Sequence, residues 1–349
     1  MAILYVTDQG ATLTKRGNRL VVEKQGRPIH WSHAFKVEQV ILLGNINLSP
    51  AVIAFLLQEG IDTVFLSYYG KYRGRLVAHL GKNIDLRRRQ FARLDDPEFR
   101  LRQARACVQG KIYNCRVLLR RQNRDLGSLE VAEAVHQLRR LGHKADQADT
   151  VDSLLGLEGS AAAAYFGCFA RLLRAGDLPF GGRSRRPPKD PVNVLLSLGY
   201  TLLANAIHTQ VMVAGLDPYL GALHSPDYGR PSLVLDLMEE FRPVLVDALV
   251  LHLVNKRIIR PTDFYRPEDR EPAAFDFAAP DPPREGYPIL LSHEGLKKFV
   301  TYFERRLNQK VFYFPQAERL SYRGVLLAQV RHFIRVLADD SLYQPFLLR

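Results

Sequence analysis

Two stretches of this chain carry residue types suited to work on a phosphate. In "LGLEGSAAAAYF", residues 155–166, Glu158 stands between two glycines and ahead of four alanines. In "LHSPDYGRPSLVLDLMEEFRP", residues 223–243, His224 precedes a Pro/Gly loop, and a helical pattern then carries Asp236, Glu239 and Glu240. Asp236 is three residues from Glu239 and four from Glu240, so either pair shares a helix face. Like charges on one turn repel, and a cation is the simplest relief. An imidazole with carboxylates is a mixed N/O donor set, suited to Mg²⁺ or Mn²⁺ rather than to structural zinc. An ion so held activates an oxygen nucleophile and neutralises charge on a phosphoryl transition state. The plainer account of His224 is a hydrogen-bonded residue beside a loop.

Glu158 also has two readings. Placed at the start of a helix over 159–175, it is a first-turn acid favoured by the helix dipole. Alternatively, Gly159, Ser160 and Ala161 to Ala164 admit a neighbouring helix closely. Glu158 then sits in a crowded interior and needs a partner, which a shared metal would supply. "HWSH", His30 to His33, has a spacing that could bind metal but no supporting acids, and is read as turn chemistry. There is no G-x-x-x-x-G-K-[ST] loop and no G-x-S-x-G elbow, which disfavours ATP and serine-hydrolase chemistry. Cys107, Cys115 and Cys168 lack zinc spacing and read as buried small hydrophobes of a reducing cytosol.

The chain of 349 residues has a formal net charge of +13, and the excess is concentrated. Between Lys82 and Leu126 stand 13 Lys or Arg against 5 Asp or Glu, which accounts for about 8 of those charges. Such an excess favours a polyanion through counterion release. The candidate backbone contacts are Arg87, Arg88, Arg89, Arg120 and Arg121, with Arg183, Arg185, Arg186 and Lys189 in the loop "GGRSRRPPKD". A solvated face is the ordinary alternative for any charge run.

The elements that must position these groups fall into two textures, so the chain is expected to be α+β with two domains. Residues 1–83 read as a β-rich domain, sandwich- or roll-like: "ILYVT", "ATLTKR", "RLVVEK", "KVEQVILL" and "IDTVFLS" carry strand signals. Gly17-Asn18 marks a two-residue hairpin turn. A short helix is framed by Ser49, Pro50 and Gly60. Residues 84–349 read as an all-α domain, with helices after Lys82 and over 128–141, 159–175, 191–215, 233–256, 293–308 and 320–339. Six prolines between Arg266 and Pro288 predict a loop over 266–288. The apolar run 192–216 is broken by Asn193, Asn205, His208 and Gln210 and predicts a buried helix, not a membrane span. With no signal-like start, a cytoplasmic location is expected.

"LLGLEGSAAAAYF", "RRPPKDPVNVLLSLGYTLLANAI" and "GLDPYLGALHSPDYGRPSLVLDLMEEFRP" together resemble, in order and spacing, the landmark blocks of the CRISPR-associated integrase family, Cas-one. "LLGNINLSPAVIAFLLQEGIDTVFLS" is similar to that family's N-terminal domain. The resemblance implies homodimerisation through the β-rich domain, a helical catalytic domain, a small Cas-two partner in a heterohexamer-like complex, and Mg²⁺- or Mn²⁺-dependent endonuclease and integrase activity on spacer and repeat DNA. Carried onto this chain, the metal and catalytic set falls on Glu158, His224 and Glu239. The family pattern usually has proline after the last acid. Here Glu240 stands in that place, which makes Glu240 a possible substitute ligand and leaves Asp236 as a supporting acid. The rival readings are a structure-specific repair nuclease using the same site, and a non-catalytic nucleic-acid scaffold that uses only the basic surface.

Overall fold

A computed structural model describes residues 2–68, 70–78, 83–184, 187–266 and 289–349. Arg185, Arg186 and residues 267–288 of the proline-rich stretch lie outside the described residues. The chain divides into two compact units, Met1–Leu80 with Asp263–Lys297, and Gly81–Thr262 with Lys298–Arg349.

The first unit is strand-rich. Strands β1 (Ala2–Val6), β2 (Thr12–Arg16), β3 (Arg19–Lys24), β4 (Arg27–His33), β5 (Val37–Leu43) and β6 (Asn47–Leu48) precede helix α1 (Pro50–Gln58). Strands β7 (Asp62–Leu66) and β8 (Tyr72–Leu76) follow. They form two four-stranded sheets, ordered β1-β5-β7-β8 and β4-β3-β2-β6. In the first, β1, β5 and β7 run parallel and β8 antiparallel. The β2–β3 turn is Gly17-Asn18 with Gly17 at φ 57°, a backbone region that glycine enters without a Cβ penalty. Ser49 caps α1 by accepting the Val52 N–H at 3.3 Å, with Pro50 opening the helix. Leu4, Leu13, Leu20, Val40, Val52 and Leu56 draw both sheets and α1 onto one apolar core. "HWSH" is part of β4 and not a turn. Residues three apart on a strand point to opposite faces, so His30 and His33 do not chelate together. Within the same unit, β9 (Phe264–Tyr265) pairs antiparallel with β10 (Leu290–Leu291).

The second unit is built from α2 (Ile84–Asp95), α3 (Pro97–Leu126), α4 (Leu129–Asp146), α5 (Val151–Gly167), α6 (Pro191–Val213), α7 (Ser232–Glu239) and α8 (Ala248–Asn255). Helix α9 (His293–Asn308) joins it from Lys298 onward, and α10 (Tyr322–Asp339) comes last. One hairpin interrupts the helices, β11 (Lys310–Tyr313) with β12 (Glu318–Ser321). Asp96 separates α2 from α3, its carboxylate accepting the Glu98 N–H at 3.0 Å with Pro97 as first helical residue. The 30 residues of α3 pack against α4, α5 and α7, making it the spine of the unit. The cysteines are free and buried. Among the described residues no helix is long and apolar enough to cross a membrane.

Two helices differ from their sequence reading in ways that matter for the site. Helix α5 starts at Val151, where Thr150 Oγ1 accepts the Ser153 N–H at 3.2 Å, so Glu158 lies mid-helix and the first-turn dipole account does not apply. The single helix expected over 233–256 is interrupted by a π-helical segment, Arg242–Asp247. Pro243 brings no N–H, and its ring crowds the carbonyl four residues back, so the turn widens. That widening places Glu239 in the last turn of α7, with Arg242 and Asp247 just beyond.

Candidate active site

The site begins on α3 with a residue that its surroundings make unexpected. Ala104, Cys107, Lys111, Cys115 and Leu118 form one buried stripe, and Lys111 is only 7% exposed. A buried ammonium requires partners, and Lys111 has two. Its Nζ is ion-paired with Glu158 of α5 and lies 2.6 Å from Glu239 Oε2 of α7. One cation therefore bridges two carboxylates 81 residues apart in sequence. Burial alone would lower the Lys111 pKa, but Glu239 and Glu158 raise it, so the amine stays charged.

Glu239 Oε1 also receives Arg242, with Nη2 at 3.1 Å across one turn. Burial pushes the Glu239 carboxyl upward, yet Arg242 and then Lys111 outweigh it and bring its pKa to about 2. Glu239 Oε2 is held by the Lys111 ammonium, and Oε1 by Arg242. A buried carboxylate kept ionised, with a cation on each oxygen, is suited to holding positive charge.

His224 enters from the loop before α7, and Asp236 fixes it. Asp236 is 2% exposed; its Oδ2 accepts the N–H groups of Ala222 at 2.5 Å and Leu223 at 3.0 Å. Its Oδ1 accepts the His224 N–H at 3.0 Å and lies 2.7 Å from His224 Nδ1. With Asp236 an acceptor throughout, Nδ1 carries the proton and Nε2 keeps a lone pair, the arrangement used where a carboxylate orients a ligating histidine. Gly221 makes this possible: a Cβ there would meet Asp236 Oδ2 at 2.5 Å and the Ser232 carbonyl carbon at 2.7 Å.

Glu240 belongs to a different cluster. Its Oε1 accepts Gln329 Nε2 at 3.0 Å and the Tyr343 hydroxyl at 3.1 Å, and its Oε2 accepts the Phe346 N–H at 2.8 Å. Asn114 Nδ2 donates to the carbonyls of Glu240 at 2.7 Å and Phe346 at 2.8 Å. Burial dominates over these hydrogen bonds and lifts the Glu240 pKa to about 8. Glu240 thus anchors the C-terminal segment, while its neighbour Glu239 turns to Lys111 and Arg242.

The glycines beside Glu158 do not lie against another helix. A Cβ on Gly156 or Gly159 would meet nothing within 4 Å, and Gly156, Gly159, Ser160 and Ala163 are exposed. Ala161 is buried where α5 packs on α3 and α4, the other small residues line a more open face, and Lys111 supplies Glu158 with its partner.

A further buried acid lies at the end of the π-helical segment. Asp247 accepts the Tyr165 hydroxyl at 3.0 Å and the Tyr200 hydroxyl at 2.5 Å, and burial raises its pKa to about 6. Arg242 and Arg183 lie 4.8 and 5.4 Å from the Tyr200 ring centre, within cation–π range. Arg183 also donates to Asn193 Oδ1 at 2.8 Å and so faces inward. Of the other basic candidates, Arg88, Arg89, Arg120, Arg121 and Lys189 are exposed, Arg87 is half-buried, and Arg121 donates to the Arg349 carbonyl.

Among the described residues no three His, Cys, Asp or Glu groups close into a metal cage with the side chains as they stand. The donors nevertheless fit a divalent ion. Two carboxylates already share one cation, the Glu239 carboxyl is held ionised, and Asp236 orients the His224 imidazole. Lys111, Arg242 and Asp247 are the members that motif reading misses. For Lys111 the signal was a lysine on an otherwise small and apolar stripe of α3.

A family model described as CRISPR associated protein Cas1 matches residues 4–305. The chain is 40% identical over 352 residues to "CRISPR-associated endonuclease Cas1 3" of Thermus thermophilus, covering 100% of this chain and 98% of that one. Its fold is similar to the solved structure of a CAS1 protein from Thermotoga maritima, with TM-score 0.80 and 25% identity over 98% of this chain and 99% of the other. It also resembles a chain of a Cas6-RT-Cas1–Cas2 complex, with TM-score 0.83 and 25% identity, covering 100% of this chain and 36% of that chain.

Proposed function

This chain belongs to the CRISPR-associated Cas1 family, and on that premise we propose that it is a Mg²⁺- or Mn²⁺-dependent DNA endonuclease and integrase that inserts short spacer DNA into a CRISPR repeat array. The observation that carries the chemical part is the meeting of Glu158 and Glu239 on one cation, with His224 held by Asp236. Glu158, Glu239 and His224 Nε2 are the groups that would hold the ion. When bound, such an ion stabilises negative charge on a phosphoryl transition state and activates an oxygen nucleophile.

The protein's own residues do the positioning. Lys111 and Arg242 place positive charge beside the acids, and Asp236 keeps His224 in one tautomer. No covalent nucleophile is needed: the spacer's 3′-hydroxyl attacks a repeat phosphorus in line as the bond to the departing 3′-oxygen breaks. One phosphodiester forms as one is lost, and the proton released by the first hydroxyl is matched by the one the departing oxygen gains. With water as the attacking oxygen the same displacement is hydrolysis. Exposed Arg88, Arg89, Arg120 and Lys189 would hold DNA backbone without reading bases.

The Cas2 named with the similar complex supports a small Cas2 partner. Homodimerisation we assign to the strand-rich unit, where β4 is an edge strand with Ile29, Trp31 and then Phe35 exposed. Unpaired edges with apolar side chains are ready to associate.

The test uses supercoiled plasmid carrying a repeat, a short duplex and the Cas2 partner. Joining is expected with 3′-hydroxyl ends and not with 3′-dideoxy ends. Glu158→Gln and His224→Ala should abolish joining and nicking while DNA binding persists. Nicking without joining would favour the repair-nuclease reading, and full activity in both variants would favour the scaffold reading.

A further inference from the structure

We propose that Lys111 is a built-in occupant of the cation position between Glu158 and Glu239, and that its displacement couples divalent-ion loading to the arrival of DNA phosphate. The inference rests on the metal reading above and concerns a residue that reading does not use as a ligand.

Geometry comes first. The Lys111 ammonium is paired with both acids, so an ion shared by them enters only if the ammonium leaves at least one carboxylate. The residue is built for both positions: its backbone is fixed on the buried stripe of α3, while four rotatable carbons carry the charge.

Charge comes second. The immediate contacts contain two carboxylates, Glu158 and Glu239, and two cations, Lys111 and Arg242. Without an ion these balance. A divalent ion adds two positive charges to a buried space that already holds two, where Coulomb repulsion is poorly screened. A DNA phosphate at the same place supplies the missing negative charge and gives the withdrawn ammonium a new partner. Metal and DNA therefore favour each other's binding, and the effect is reciprocal because it is one coupling free energy.

Arg242 cannot serve in the same way. Its ion pair is with Glu239 and it is braced against Tyr200, so it reaches Glu158 only through longer-range attraction and does not bridge the two acids. Asp236 takes no part, since its oxygens are engaged by His224 and by three backbone N–H groups.

The experiment is calorimetric titration of the full chain with Mn²⁺, with and without a short duplex, for the wild type, Lys111→Met and Lys111→Arg. The wild type and Lys111→Arg should bind Mn²⁺ about 10-fold tighter with duplex than without, a usual size for coupling between sites. Lys111→Met should bind Mn²⁺ about 10-fold tighter than wild type in the absence of DNA, and lose most of the DNA-dependent gain. Lys111→Met binding no tighter than wild type without DNA would overturn the proposal. So would equal Mn²⁺ affinity with and without duplex in the wild type, a result that needs no variant to fold. Mn²⁺ binding without coupling sinks this proposal alone, whereas no Mn²⁺ binding in any arm sinks the metal reading with it.

Discussion

Asp236 grips His224 twice, accepting its backbone N–H at 3.0 Å and facing its Nδ1 at 2.7 Å with the same oxygen. The buried carboxylate thus sets both where the loop runs and which imidazole nitrogen stays open. Asp236→Asn keeps the shape but places an amide where an acceptor is required, for the ring or for the backbone. Joining should fall about 10- to 100-fold, the usual cost of losing a partner that orients a metal-binding histidine. The check is Mn²⁺ affinity alongside joining rate; an unchanged affinity would remove the positioning role.

Adjacent acids should separate by function. Glu239→Gln removes a charge bridged by Lys111 and Arg242 and should abolish joining. Glu240→Gln should leave joining within about 5-fold, because its carboxyl serves the C-terminal segment through hydrogen bonds worth roughly 1 kcal/mol each. Equal loss in both variants would contradict the division seen between the two side chains.

Glu240 also imposes a pH dependence on stability. Its folded pKa of about 8 stands above the ordinary value of 4.5. Below pH 4.5 the group is protonated whether folded or unfolded, and its contribution to stability is fully present. As pH rises toward 8 only the unfolded chain releases the proton, so stability falls by at most about 1.4 kcal/mol per pH unit. Glu240→Gln should remove this slope. Urea midpoints of wild type and variant across pH 5–8 provide the measurement, and parallel curves would count against it.

The basic residues should divide by orientation. Arg88→Ala, Arg89→Ala or Arg120→Ala should each reduce the salt slope of DNA binding by roughly 1. Arg183 faces Asn193 and Tyr200, so Arg183→Ala should lower the thermal midpoint more than it changes that slope. Binding isotherms from low to moderate salt, paired with melting curves, test both.

On the strand-rich unit, Trp31 lies under Arg19 at 4.1 Å and edge-on to His33 on the outer strand. Trp31→Arg should weaken self-association at least about 10-fold, as loss of a buried aromatic anchor does at interfaces. Sedimentation over a concentration series would show it, with the folded monomer retained.

Much of this molecule is legible in local sequence because the forces concerned are local. Ser49-Pro50 opens α1 and Gly17-Asn18 turns β2 into β3, since caps and tight turns are satisfied within a few residues. The blocks around Glu158, His224 and Glu239 announced carboxylate and imidazole chemistry by residue type alone. Tertiary structure decided what those groups face. Adjacent acids on a helix point about 100° apart, so only packing determined that Glu239 meets Lys111 and that Glu240 meets Tyr343. Only packing likewise made the open face of α5, and turned a lysine on an apolar stripe into the bridge between two acids. A buried charge takes whatever partner the fold brings near, and partners 47 and 128 residues from Lys111 leave no periodic trace in the sequence.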